Sequence, residues 1–216
     1  KLEPTTHGFL TNDICFDPII IDEVTLEHWY KKGNDYYYGL NGVTKNYETA
    51  KYWYNKAAEQ GNARGQCNLG RMYYLGEGVT KNDETAVYWY KKAAKQGDTK
   101  AQNNLGVMYE YSHGVTKNYD EAAYWYKKAA EQGDTTAQNN LGDILYHNNW
   151  FFADSYKRAI YWYRKAAEQG NATAQNNLGD MYHYGKGVTK DYKTAVYWYK
   201  KVAEQGDARG QKNLGD

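Results

Sequence analysis

The chain has 216 residues, a quarter of them charged, with 27 Lys and Arg against 26 Asp and Glu. So even a balance excludes a global field steering the protein toward nucleic acid or an anionic surface, and any recognition by charge has to be local. No run of about 18 apolar residues occurs and no basic segment leads into an apolar core at the start, so neither a membrane span nor a signal peptide is expected.

Residues 1–24 carry Pro4, Pro18 and the apolar run Ile19, Ile20, Ile21 without any repeat signature. This composition predicts an N-terminal arm or cap over the first exposed helix face, with the repeat array occupying 25–216. Leu26, Tyr30, Gly33 and Tyr37 then follow at helical spacing and predict a degenerate first helix. From there Trp-Tyr recurs at Trp53, Trp89, Trp125, Trp162 and Trp198, and Leu-Gly at Leu69, Leu105, Leu141, Leu178 and Leu214. Both series step by 36, 36, 37 and 36 residues. Two markers that keep one period predict a stack of similar units, each contacting mainly its neighbours.

Within the unit from Asp98 to Gly133, Ala101, Leu105, Met108 and Tyr109 form one stripe of a helix, helix A, with Asp98 as its N-cap. Gly97 supplies the left-handed turn that ends the previous helix. After Ser112-His113-Gly114, a second stripe of Ala122, Trp125, Tyr126, Ala129 and Ala130 predicts helix B, acidic at its start and basic at its end. Trp125 and Tyr126 are expected to supply most of its buried area. Where other units have a Gly-rich turn, the fourth has His147-Asn148-Asn149-Trp150-Phe151-Phe152. Trp150 and Phe151 there are candidate exposed contact residues. The chain stops at Asp216, inside a new helix A, so the last repeat is incomplete and continuation of the natural chain is expected.

Catalytic motifs are sparse, and no enzyme, cofactor or metal site is expected. Ser112 and Ser155 lack a Gly-x-Ser-x-Gly setting, and the five histidines never stand at i, i+4. Cys15 and Cys67 lack the CxxC spacing of a zinc or redox site. Gly76-Glu77-Gly78-Val79-Thr80-Lys81 superficially suggests a phosphate loop, but its return at Gly185–Lys190 between two helices predicts a turn. The Lys-Lys pairs at Lys91, Lys127 and Lys200 have Glu131 or Glu204 within about one turn in two of the three cases, which predicts a solvated face and no nucleic-acid stripe.

The pattern Ala-x-x-Trp-Tyr-x-Lys-Ala-Ala-x-x-Gly, followed by Ala-x-x-x-Leu-Gly-x-x-Tyr and a Gly-x-Gly-Val turn, resembles the SEL-one-like repeat (SLR) family, relatives of the tetratricopeptide repeats. The resemblance runs from about Gly42 to Asp216. It implies an all-α, right-handed α/α superhelical solenoid of about five 36-residue helix-turn-helix repeats, whose A helices line a concave groove. It also implies an adaptor or scaffold that binds a peptide or protein partner. Some bacterial members carry a disulfide in each repeat and bind β-lactam-like ligands. This chain lacks those cysteines, so a small-molecule or glycan-binding role, like that of a spacer module in a larger protein, stands as the alternative.

If the Leu105 stripe faces the core, Lys100, Asn103, Val107 and Glu110 point into the groove with Asn104 and Tyr111 on its flank. The equivalent positions are Arg64, Cys67, Arg71 and Tyr74, then Thr136, Asn139, Asp143 and Tyr146, then Thr173, Asn176, Asp180 and His183. Asn68, Asn104, Asn140, Asn177 and Asn213 form a ladder beside them. A carboxamide both donates and accepts, so the ladder suits either pairing with a partner's backbone or tying one repeat to the next. Arg64 and Arg71 at one end and Asp143 and Asp180 at the other would orient an extended partner.

Overall fold

Short polar side chains decide where the helices begin. The computed structural model describes residues 22–147 and 154–215. Eleven helices and no strand lie among the described residues: α1 (Glu23–Tyr38), α2 (Tyr47–Glu59), α3 (Ala63–Leu75), α4 (Asp83–Lys95), α5 (Thr99–Tyr111), α6 (Tyr119–Glu131), α7 (Thr135–His147), α8 (Ser155–Glu168), α9 (Ala172–Tyr184), α10 (Tyr192–Glu204) and α11 (Ala208–Gly215). Asp22, Asn62 and Asp98 each accept a backbone N–H of the first turn at 2.8 Å, satisfying donors that the helix itself leaves open. At the other end Gly97, at φ 92°, reverses the chain so that the next helix runs back antiparallel.

Odd-numbered helices are the A helices and even-numbered ones the B helices. Each packs chiefly on the helix before it and the helix after it, so the molecule is an all-α solenoid. The core runs through the repeats and across their boundaries. Tyr90, Ala93 and Ala94 of α4 cluster with Ala101, Leu105 and Met108 of α5. The same combination recurs in α6 with α7 and in α8 with α9. A lone helix pair therefore leaves its apolar surface half covered, and neighbours complete it.

The two recurring markers meet in space. In the first four Leu-Gly pairs the glycine is a socket for the tyrosine of the Trp-Tyr pair on the following B helix. A Cβ on Gly106 would lie 2.5 Å from the Tyr126 ring, and one on Gly142 would lie 2.5 Å from Tyr163. Gly33 of α1 receives Tyr54 in the same way, which makes α1 the degenerate A helix expected from its spacing. Residues 23 and 24, assigned to the arm by composition, belong to α1; residues 1–21 lie outside the described residues.

The expected sharing of burial between Trp and Tyr needs correction. Tyr54, Tyr90 and Tyr126 are at most 1% exposed, whereas the tryptophans are only partly buried. Trp89, Trp125, Trp162 and Trp198 lean on core clusters of the preceding repeats, Trp125 against the α4–α5 cluster and Trp162 against the α6–α7 cluster. The reason is angular: adjacent helix residues point 100° apart, and the glycine sockets take the Tyr side.

A second ladder is polar. Gln102 is 4% exposed, donates to the Ala94 carbonyl at 3.1 Å, and accepts from Gln132 at 2.8 Å. Gln66, Gln138 and Gln175 repeat both bonds. Each buried amide thus stitches the end of one B helix to the next A helix and to the B helix beyond. The Gly-x-Gly segments are stacking turns: a Cβ on Gly78 would meet the Tyr47 backbone at 2.8 Å. A phosphate loop needs a preceding strand, and here a helix precedes.

Candidate functional site

The residue after each socket glycine forms the floor of the A-helix face: Asn34, Arg71, Val107, Asp143 and Asp180. Below the floor end the buried tyrosines, whose hydroxyls require partners. Tyr54 donates to Asn34, Tyr163 to Asp143 and Tyr199 to Asp180, at 2.7–2.8 Å. Val107 cannot accept, and Tyr126 reaches instead to Glu110 at 2.7 Å. Arg71 cannot accept either, and the Tyr90 hydroxyl meets Asn104. The varied floor is therefore coupled to the repeated core.

The asparagine ladder reaches across repeat boundaries. Asn68 donates to Asn34 at 3.2 Å, Asn140 to Asn103 at 3.0 Å and Asn213 to Asn176 at 2.8 Å. Asn177 donates to both Asn139 and Asp143. These bonds favour the tying role, although a carboxamide keeps further bonding capacity. The acceptors Asn103, Asn139 and Asn176 each precede a ladder residue by one position, about 100° around the helix, while Asn34 belongs to the floor. Asn139, at 7% exposed, and Cys67, at 5%, are buried and so are withdrawn from the groove lining. Burial pushes the Cys67 thiol pKa up, making it an inert filler.

Two hollows divide the remaining candidates. Arg71, Tyr74 and Asn104 line one of about 190 Å³ with Leu75, Tyr90, Val107 and Met108. Asp143, Tyr146, Asn177 and Asp180 line another of about 240 Å³ with His147, Tyr163, Tyr184 and Lys186. Arg71 lies over the Tyr37 ring and donates to the Tyr38 hydroxyl. The Lys186 ammonium donates to Tyr146 and lies over its ring. Arg64 is exposed and pairs with Glu27 at 3.3 Å; Lys100 is exposed. His183 stacks edge-on against Tyr192 at the start of α10, outside both hollows. Trp150 and Phe151 lie outside the described residues.

A lip that the periodicity did not single out runs beside the floor. Tyr38, Leu75, Tyr111 and Tyr184 close α1, α3, α5 and α9 and are 52–63% exposed, with His147 at the same place in α7. Of these only Tyr111 is picked out by the groove argument; the signal for the others is their common offset of five residues from the socket glycine.

Asp143 accepts from Tyr163, Asn139 at 2.9 Å and Asn177 at 3.0 Å. Burial nevertheless holds its pKa above the usual carboxylate range, against the pull of Tyr163, His147 and Asn139. A carboxyl with a raised folded-state pKa contributes stability at low pH that is lost as pH rises through that value. Asp143→Asn should therefore be more favourable to stability, relative to wild type, at neutral pH than near pH 3. Urea unfolding at both values checks this, and the opposite trend would show that the hydrogen bonds outweigh burial.

A family model of the Sel1 repeat matches residues 33–62, 63–98, 99–134, 135–171 and 172–207. Among solved structures, c5321, a protective antigen of uropathogenic Escherichia coli strains displaying an SLR fold, shares 43% identity at a TM-score of 0.80. That similarity covers 88% of this chain but only 40% of the antigen. A Sel1 repeat protein from Oxalobacter formigenes shares 40% identity at a TM-score of 0.80, over 90% of this chain and 78% of that one. The immunity protein Pa5087 from Pseudomonas aeruginosa, at 22% identity and a TM-score of 0.54 over 88% of this chain and 69% of that one, is similar in fold alone. No curated protein sequence matches. With five contiguous repeat matches laid over the helix pairs described above, the chain belongs to the Sel1 repeat family.

Proposed function

We propose that the A-helix face is a recognition groove for an extended segment of a partner protein. Sel1 repeat proteins generally act as interaction scaffolds and are typically non-enzymatic, which supports the reading. The observation that carries the reading is the half-exposed lip of Tyr38, Leu75, Tyr111 and Tyr184 alongside a floor that takes four different residues over five A helices. Aromatic area at half exposure is what interface hot spots use, while a varied floor supplies discrimination. Arg71 at one hollow and Asp143 with Asp180 at the other would fix the direction of a segment carrying an acidic and a basic residue.

The small-molecule alternative draws on the carboxylates at the floor. The hollow that holds them, at about 240 Å³, falls below the roughly 300–1,000 Å³ of ligand pockets and is sized for a single side chain. A displayed library of random peptides selected on the 216-residue chain tests the proposal. Selected peptides should carry both charges and should lose at least about tenfold in affinity, roughly 1.4 kcal/mol, against a Tyr111→Ser, Tyr184→Ser variant. Equal binding to both proteins would move recognition off this face.

A further inference from the structure

The B helices are near copies of one another, yet their surface charge changes abruptly along the array. α2, α4 and α6 together carry seven basic and seven acidic residues. In contrast, α8 carries four basic residues and one acidic, and α10 three and one. The change is concentrated at helix starts. The first turns of α2, α4 and α6 hold Glu48, Asp83 with Glu84, and Asp120 with Glu121, whereas those of α8 and α10 hold no acid. Lys157 and Lys193 occupy the place of Glu48, Glu84 and Asp120, and Arg158 follows Lys157.

Cations in a first turn oppose the helix dipole, and the N-cap acids Asp154 and Asp191, standing where the earlier B helices have Asn46, Asn82 and Asn118, offset part of that opposition. An excess of at least two cations within each of two neighbouring B helices, found in none of the other three, points to a use for the charge. Among the described residues Asp154 pairs with Lys157 at 3.0 Å and Glu204 with Lys201 at 3.8 Å, and the N-cap Asp191 attracts Lys193, which leaves both helices with an excess of cations. Between the charges stand Tyr161 and Tyr197, 52% and 53% exposed, with Lys165 and Lys201 over their rings. Lys157, Tyr161 and Lys165 form one stripe at i, i+4 and i+8, and Lys193, Tyr197 and Lys201 form the stripe beside it.

We propose that the outer face of α8 and α10 docks on an anionic lipid bilayer. The shape of the patch selects this occupant. A plane laid against the outside of a superhelix touches only neighbouring repeats, and the basic change is confined to two. A linear polyanion would follow all five B helices, and three of those carry no net charge between them. Lysines bring the surface charge that anionic headgroups attract, and tyrosines, apolar in body and polar at the tip, suit the headgroup level. The groove, on the A helices, stays open to its partner.

Sedimentation of the 216-residue chain with vesicles tests this, using phosphatidylcholine alone and phosphatidylcholine mixed with phosphatidylserine at physiological ionic strength. Binding to the mixed vesicles only, weakening as salt rises, is the expected result. The variant Lys157→Glu, Arg158→Thr, Lys193→Glu, which installs residue types that the earlier repeats carry at these positions, should melt no lower than wild type. Its binding should fall roughly a hundredfold, at about 1 kcal/mol for each cation removed. Should it melt lower, Lys165→Gln with Lys200→Gln, away from the helix starts, makes the same test. Equal binding to both vesicle types, none to either, unchanged binding by the variants, or tighter binding to a single-stranded oligonucleotide or to polyglutamate would each overturn the proposal.

Discussion

Gly106→Ala should destabilise the array by about 2 kcal/mol, although the same change in an exposed helix would gain nearly 1 kcal/mol from helix propensity. The sign reverses because the new methyl would stand 2.5 Å from a Tyr126 ring that is 0% exposed. Overpacking of this kind costs about 3 kcal/mol, which outweighs the propensity gain. The ring has nowhere to go, since Ala129 and Ala130 press on the same cluster and its hydroxyl is tied to Glu110. In a Tyr126→Leu background the penalty should largely vanish, because the smaller side chain vacates the socket. Urea unfolding of the four proteins completes the cycle. A Gly106→Ala protein as stable as wild type would mean that the helices separate without loss.

Gln102→Ala should cost about 2–4 kcal/mol, whereas Gln132→Ala, on the other side of the same bond, should cost under about 1 kcal/mol. The asymmetry comes from burial. Removing the Gln102 amide strands the Ala94 carbonyl away from water, while the Gln132 side chain is exposed and its loss leaves water to serve Gln102 at the rim. Equal effects, measured by the same unfolding experiment, would reduce the buried glutamines to fillers of space.

Much of this architecture could be read from the residues, and the reason is its redundancy. A period seen five times fixes helix pairs, caps at Asp98 and turns at Gly97 far better than any one segment does. What the period cannot give is the register between helices. Leu-Gly and Trp-Tyr repeat in step whichever residues face each other, so the choice of Tyr126 over Trp125 for the deepest position depends on the Gly106 socket, a contact between helices. The same gap explains Cys67 and Asn139. Helical phase aims both at the groove, but the adjoining A helix covers them, and a single-helix projection omits its neighbours. Gln102 recurred as faithfully as Leu105, yet a polar residue amid apolar ones reads as surface until its buried partners are known. At the candidate site the floor residues Arg71, Asp143 and Asp180 were accessible to that projection. Their pairing into two hollows was not, since each hollow is built by two successive A helices.

The buried tyrosine of each B helix sits in a glycine socket of its own repeat's A helix and also packs in a cluster with the A helix of the next, so every repeat boundary is joined by the same kind of contact. Pulled from its ends, such a chain would yield at one boundary after another. Each yielding event would peel off one helix pair and with it free a length of about 36 residues, some 120–130 Å of extended chain at about 3.3–3.6 Å per residue. The array would lengthen in even steps under tension, a tether that pays out in fixed increments and whose remaining repeats keep their grooves.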